Sequence, residues 1–222
     1  MVPESEIESA RNDMTESQFR QEFEASFEDI GSRIAYAFTR EQNVKSYDQP
    51  PPKELCIGID FNLNPISASV LARSGETLHV IDEIEIYSSN TDELVQEIKN
   101  RYPNQKIFAF PDPSGSRSQT SSAGRSDHII LQNAGFAVKA PRKHDPVKDR
   151  INALNARFVN AAGAVNLWVD PKCKRTIECL EKHSYKPGTQ VPDKDSGYDH
   201  LWDALSYCVA YLHPIRRPAP RS

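Results

Sequence analysis

The sequence predicts an α/β fold with a mixed five-stranded central sheet, three strands antiparallel and then two parallel, flanked by helices. Three observations predict it. Residues 55–59 (LCIGI) form a short apolar run bounded by breakers, Pro50-Pro51-Pro52 before it and Asn62-Leu63-Asn64-Pro65 after it, which suits a buried strand better than a helix. Residues 66–72 and 77–86 alternate in polarity and meet at a Ser74-Gly75 turn, so they complete an antiparallel meander with the first run. Residues 106–110 (KIFAF) follow a helix-length segment, and a strand that returns through a helix normally lies parallel to the strand it joins.

The remaining elements follow in order. Residues 1–13 carry no packing pattern. In residues 16–38, Phe19, Phe23 and Phe27 recur at helical spacing, which predicts a helix with a packed stripe. Residues 49–53 read as a stiff linker. Residues 91–102 form a helix with Thr91 as N-cap, Asp92 and Glu93 in its first turn, and Leu94, Val95 and Ile98 inward. Residues 114–126 are a Ser, Gly and Arg-rich loop, 128–134 a helix and 136–140 the fifth strand. Residues 146–162 form a long helix with Ile151, Leu154, Phe158 and Val159 inward and Lys148, Arg150 and Arg157 outward. A small extra strand is expected at 166–169, a helix at 172–182, a loop or loose hairpin at 182–198, and a last helix from Asp199 that Pro214 stops. The domain division is 1–53, acidic segment and linker; 54–213, the folded domain; and 214–222, a basic tail.

Composition narrows the function. With 38% hydrophobic and 26% charged residues and no apolar run of membrane-spanning length, the chain is not expected in a membrane. Its acidic amino terminus lacks the basic and apolar regions of a signal peptide, which predicts folding in a reducing compartment. Four cysteines without CxxC spacing indicate neither a zinc site nor a disulfide framework. A net charge of -4 argues against a surface that coats nucleic acid throughout, and leaves room for a local basic groove.

The chemistry lies in carboxylates. Asp60 ends the first strand and Asp112 ends the strand at 106–110, so parallel pairing puts the two side by side at one sheet edge. Two acids so placed repel each other unless a cation sits between them. Asp203 is the one clear charge between Leu201 and Leu212. On a helical wheel it lies opposite the stripe of Leu201, Leu205, Cys208 and Leu212, as a solvated Asp would, yet its neighbours Ala204, Tyr207 and Ala210 suit a packed face. Asp199, one turn earlier, is either the helix N-cap or a fourth ligand.

This order of elements, with Asp on strands one and four and on the closing helix, resembles the ribonuclease H-like nuclease fold. The motifs GIDFNLNP, FPDPSG, KDRINALNARF followed by LWVDPKCKRTIECLEKHSYK, and DHLWDALSY are similar to those of the nuclease domain of tailed-phage terminase large subunits. The segment FRQEFEASFEDIGSRIAYAF is similar to the one that joins ATPase to nuclease in that family, so the resemblance spans roughly residues 17–213. It departs in one respect, since no GxxxxGK[ST] phosphate loop occurs, and the packaging ATPase is expected on another chain or in a part not included here.

The resemblance implies a metal-dependent endonuclease that cuts double-stranded concatemeric viral DNA during packaging. It makes Asp60, Asp112 and Asp203 the metal-binding acids. Two divalent ions, Mg2+ or Mn2+, held about 4 Å apart would then activate the attacking water and stabilise the leaving oxygen. Asp60 would bridge both, Asp112 hold one and Asp203 the other. Candidate phosphate contacts are Arg117 and Arg125 in the loop, Arg142, Lys143, Lys148 and Arg150 before and in the long helix, and Lys182 and Lys186 in the late loop. No aromatics interleave with them, which predicts low sequence specificity. Implied partners are the terminase ATPase domain, the small terminase subunit and the portal, and the implied place of action is the host-cell cytoplasm rather than the mature virion. Two rival readings share some features. Another ribonuclease H-like nuclease, such as a junction resolvase, would carry the same acids, and a non-catalytic packaging-motor module would dock through the Phe19, Phe23 and Phe27 stripe.

Overall fold

The structure, a computed structural model, describes residues 3–23, 32–116, 125–141, 143 and 145–215. Three helices, α1 (Glu4–Asp13), α2 (Glu16–Phe23) and α3 (Arg40–Asn43), precede strand β1 (Glu54–Asp60). The chain continues through β2 (Ile66–Ser74), β3 (Thr77–Ile86), α4 (Thr91–Arg101), β4 (Lys106–Pro111) and a 3-10 turn at Pro113–Ser116. It then forms α5 (Asp127–Asn133), β5 (Ala137–Val138), α6 (Val147–Phe158), β6 (Leu167–Val169), α7 (Lys174–Lys182) and α8 (His200–Leu212). Sheet order is β5-β4-β1-β2-β3-β6. β1, β2 and β3 run antiparallel, while β4 pairs parallel with β1, and β5 parallel with β4. This is the ribonuclease H-like arrangement. Among the described residues the sheet has six strands rather than five, because the short stretch at 167–169 adds to it, parallel to β3.

Alternation along β1 builds two cores. Leu55, Ile57 and Ile59 enter the core that β1 shares with α4 and α5, through Leu94, Ile98, Ile130 and Leu131. Cys56, Gly58 and Asp60 therefore face the other side, where Cys56 joins Leu154 and Phe158 of α6, Ile177 and Leu180 of α7, and Trp202, Leu205 and Cys208 of α8. Gly58 lets α8 lie directly on β1. A Cβ there would come within 1.9 Å of the Ala204 carbonyl oxygen.

Several expectations change in three dimensions. The helix expected over 16–38 does not run through: Arg33 makes a β-bridge to Ser184, and Ile34, Ala35 and Phe38 are buried in the α8-side core. Phe19 is buried and stacks on Phe23 at 4.8 Å within this chain, and Phe27 lies outside the described residues. Asn90, not Thr91, caps α4, because its side chain accepts from the Glu93 amide; the Thr91 hydroxyl instead donates to Asp127. Arg150 and Arg157 point inward rather than outward, since α6 is enclosed between α8 and the segment at 34–38 and has no fully wet side. Among the described residues, no helix is long and apolar enough to cross a membrane.

Candidate active site

Backbone pairing brings the first two acids together. In the β1–β4 ladder Ile59 is opposite Pro111, and the Asp112 amide donates to the Ile59 carbonyl at 2.9 Å. Asp112 thus follows the end of β4 beside Asp60 at the end of β1. The chain holds it in place from three directions. Its Oδ1 accepts from the Ser114 amide at 2.7 Å, its Oδ2 accepts from the Tyr207 hydroxyl at 3.1 Å, and its carbonyl oxygen is 2.9 Å from His128 Nε2.

Helix α8 supplies the third acid. Asp203 is buried, so the packed-face reading of the wheel is correct: α8 lies on β1, β2 and β4 on one side and is covered by α6 and α7 on the other. Asp203 and Tyr207 are one turn apart, so a single helix face carries both the third acid and the hydroxyl that holds the second. Asp203 is not alone. Arg150 Nη1 donates to its Oδ1 at 2.7 Å and also to Ser206 Oγ, while Lys194 Nζ is 3.2 Å from its Oδ2.

Asp60 is linked to α8 through His200, whose Nδ1 lies 3.2 Å from Asp60 Oδ2 and 3.3 Å from Asn62 Nδ2. Burial pushes the Asp60 carboxyl above the usual range, the His200 contact pulls it down, and the charges of Asp203 and Asp112 push it up again. All three acids therefore act in one electrostatic neighbourhood. The same Asp60 contact holds the His200 ring above its ordinary pKa, against the effect of burial. Burial pulls the Lys194 ammonium down, but Asp203, Asp199 and Asp60 outweigh it and leave it raised. Glu85 lies in the same sheet row, Asp60 opposite Ser67 and Ser67 opposite Glu85, and burial raises its carboxyl.

Asp199 occupies the N-cap position of α8 without making a side-chain cap, and its buried Oδ1 makes no hydrogen bond and has His200 Nε2 at 3.7 Å as its nearest cationic group. A buried carboxylate oxygen is costly unless a cation or donor faces it, and the His200 ring, raised above its ordinary pKa partly by Asp199, meets part of that need. By donor type the set fits a hard divalent cation, because Asp60, Asp112, Asp199 and Asp203 offer carboxylate oxygens alone. Among the described residues, no three His, Cys, Asp or Glu side chains are gathered tightly enough to hold one ion between them. The acids share an edge, and Lys194 stands on one of the oxygens.

The candidate phosphate contacts divide. Arg117 and Arg142 lie outside the described residues. Lys143 and Lys148 are exposed, and Arg125 pairs with Asp92 at 3.2 Å, Lys182 with Glu178 at 2.7 Å and Lys186 with Asp195 at 2.8 Å, all near the surface. Arg150 does not belong with them. Its side chain is 6% exposed and points at Asp203, so it is out of reach of a DNA backbone. Sequence reasoning did not single out His200, Tyr207 or Lys194. His200 adjoins Asp199 and Tyr207 is four residues beyond Asp203, so helical spacing was a usable signal for both, whereas nothing marks Lys194 among the charges of its loop.

No family model matches the chain. Over 92% of its length it is 24% identical to the large terminase subunit of Escherichia phage T5, and it spans 48% of that relative, about half. The large terminase of the thermophilic bacteriophage D6E, solved with ATP-gamma-S, superposes with a TM-score of 0.73 at 14% identity, over 95% of this chain and 53% of that one. The large terminase nuclease of thermophilic phage G20c, solved with bound magnesium, superposes with a TM-score of 0.56 at 14% identity, over 81% of this chain and 97% of that one. The fold is that of the large-terminase nuclease domain.

Proposed function

We propose that this chain is a divalent-metal-dependent endonuclease that hydrolyses phosphodiester bonds of double-stranded viral DNA during genome packaging, with low sequence specificity. The observation that carries the reading is the delivery of Asp60, Asp112 and Asp203 by β1, β4 and α8 to one sheet edge, in a chain with the large-terminase nuclease fold. The 24% identity to the T5 subunit along most of the chain supports the packaging context. Residues 54–213 form the catalytic unit in this reading, and residues 1–53 lead toward an ATPase half, with the small terminase subunit and the portal as further partners and the host cytoplasm as the place of action.

Asp60, Asp112 and Asp203, with Asp199 beside them, would hold two ions, Mg2+ or Mn2+. When bound, such ions supply activation of water and stabilisation of the leaving oxygen. The rest is done by the chain itself. Tyr207 and the Ser114 amide fix the Asp112 carboxylate, and Arg150 fixes that of Asp203. His200 orients Asp60 through its Nδ1, 3.2 Å from Oδ2. Arg117, Arg125, Arg142, Lys143, Lys148, Lys182 and Lys186 remain candidates for steering the phosphate backbone.

Supercoiled plasmid incubated with Mn2+, Mg2+ or EDTA tests the reading. Nicking and linearisation are expected with either metal and not with EDTA, and Asp60→Asn, Asp112→Asn and Asp203→Asn should each lower the rate by about 100-fold or more. Absence of cutting in every metal, with the protein folded, would leave only a docking role.

A further inference from the structure

We infer that Lys194 is a working residue of this site: its ammonium and a divalent cation are alternative occupants of Asp203 Oδ2, and the ammonium, once displaced, turns to a phosphate of the DNA. The inference rests on the nuclease reading above and deepens it.

Among the described residues two cations meet Asp203, and they are not equivalent. Arg150 takes Oδ1, is buried, donates also to Ser206 and lies over the Tyr207 ring with its guanidinium carbon 4.5 Å from the centroid. Removing it from Asp203 would strand a charge in the interior, so it stays. Lys194 takes Oδ2 from outside. Its side chain is 61% exposed, while that of Asp203 is 5% exposed. Withdrawing a largely solvated ammonium on a flexible stem costs little, and water receives it at once.

Position gives the exchange its meaning. The ammonium lies 3.2 Å from Asp203 Oδ2, and the charges of Asp199 and Asp60 add to that of Asp203 in favouring it, so it brings positive charge to the acids. The chain on both sides of it is tied down: the Asp193 amide donates to the Ser184 carbonyl, the Asp195 amide to the Asp193 carboxylate, and the Lys186 amide to the Val191 carbonyl across the loop. The loop thus presents Lys194 at a fixed place, and side-chain rotation alone moves the charge between Asp203 and solvent. A phosphodiester approaching the acids from solvent reaches Lys194 on its way in, and a compact ammonium suits a phosphate oxygen.

The test is thermal unfolding against Mn2+ concentration for the wild-type chain, Lys194→Met, Lys194→Arg and Asp60→Asn, with Lys99→Met on the far face as a charge control. Wild type should show a saturable rise in Tm that Asp60→Asn lacks. Lys194→Met should reach half-saturation at roughly 3- to 10-fold lower Mn2+, because its competitor is gone, while Lys194→Arg and Lys99→Met should track wild type. In plasmid cleavage at saturating Mn2+, Lys194→Met should raise KM more than it lowers kcat. An unchanged half-saturation in Lys194→Met, with wild type binding Mn2+ normally, overturns the exchange and leaves the nuclease reading standing. No Mn2+-dependent Tm shift in wild type, together with no cleavage, overturns both.

Discussion

Arg150 and Asp203 form an ion pair at 2.7 Å with side chains only 6% and 5% exposed, which makes the third acid of the candidate site also a structural member of the α6–α8 contact. An acid held this way is pre-positioned by the fold rather than by its ligand.

Breaking the pair from either end should be expensive. Arg150→Met leaves Asp203 with Lys194 alone, and a buried charge deprived of its partner typically costs about 3–5 kcal/mol. At this chain length that corresponds to a fall in Tm of roughly 10 °C, measurable by calorimetry or circular dichroism. The double variant Arg150→Met with Asp203→Leu should recover most of the loss, since an apolar pair of similar volume replaces the ions.

Asp60→Asn and Asp203→Asn should move stability in different directions although both are expected to lower cleavage. Burial and the charges of Asp203 and Asp112 disfavour charge on Asp60 and outweigh the opposing His200 contact, so its amide should be neutral or slightly stabilising. Asp203→Asn strands Arg150 and should destabilise by about 3 kcal/mol. Urea unfolding of the two variants at pH 7 checks this, and equal effects would remove the structural role given to Asp203.

Gly58→Ala should displace α8 from β1. The added methyl meets a backbone carbonyl, Ala204 O, at 1.9 Å, and helix and strand must separate because neither atom can rotate away. The expected cost is about 3 kcal/mol. Cleavage should fall in parallel, because Asp203 and Tyr207 move with the helix.

Stability should decline on mild acidification in part through His213. Burial first, and the charge of Arg157 next, push its imidazole down from 6.5 to about 4. As pH falls below 6.5 the unfolded chain binds a proton that the folded chain refuses. The contribution is therefore complete above about pH 6.5 and is lost as pH falls toward about 4. Replacing the side chain, as in His213→Gln, should flatten the dependence of unfolding free energy on pH across that interval by up to about one proton, read from urea titrations at pH 7, 6 and 5.

Much of this protein was legible in its residue order. The apolar run ending at Asp60, the return through a helix to Asp112 and the alternation at 66–86 are local signals, and they determined the meander, the parallel strand and the shared edge of two acids. They suffice because strand period and crossover handedness act over short stretches of chain. The sixth strand was visible only as a small extra strand at 166–169 with no partner assigned, since β3, with which it pairs, is far from it in sequence.

Tertiary structure decided the rest. A helical wheel assumes one dry face and one wet face, and α8 and α6 have no fully wet face, so amphipathic reasoning left Asp203 open between solvent and a packed face and placed Arg150 outward, whereas packing makes each the other's buried partner. Which lysine reaches Asp203 depends on how the loop at 184–199 folds back on itself, through bridges and turns that no local pattern announces. Charge pairing across long sequence separation is set by packing, and packing exists only once the chain has closed.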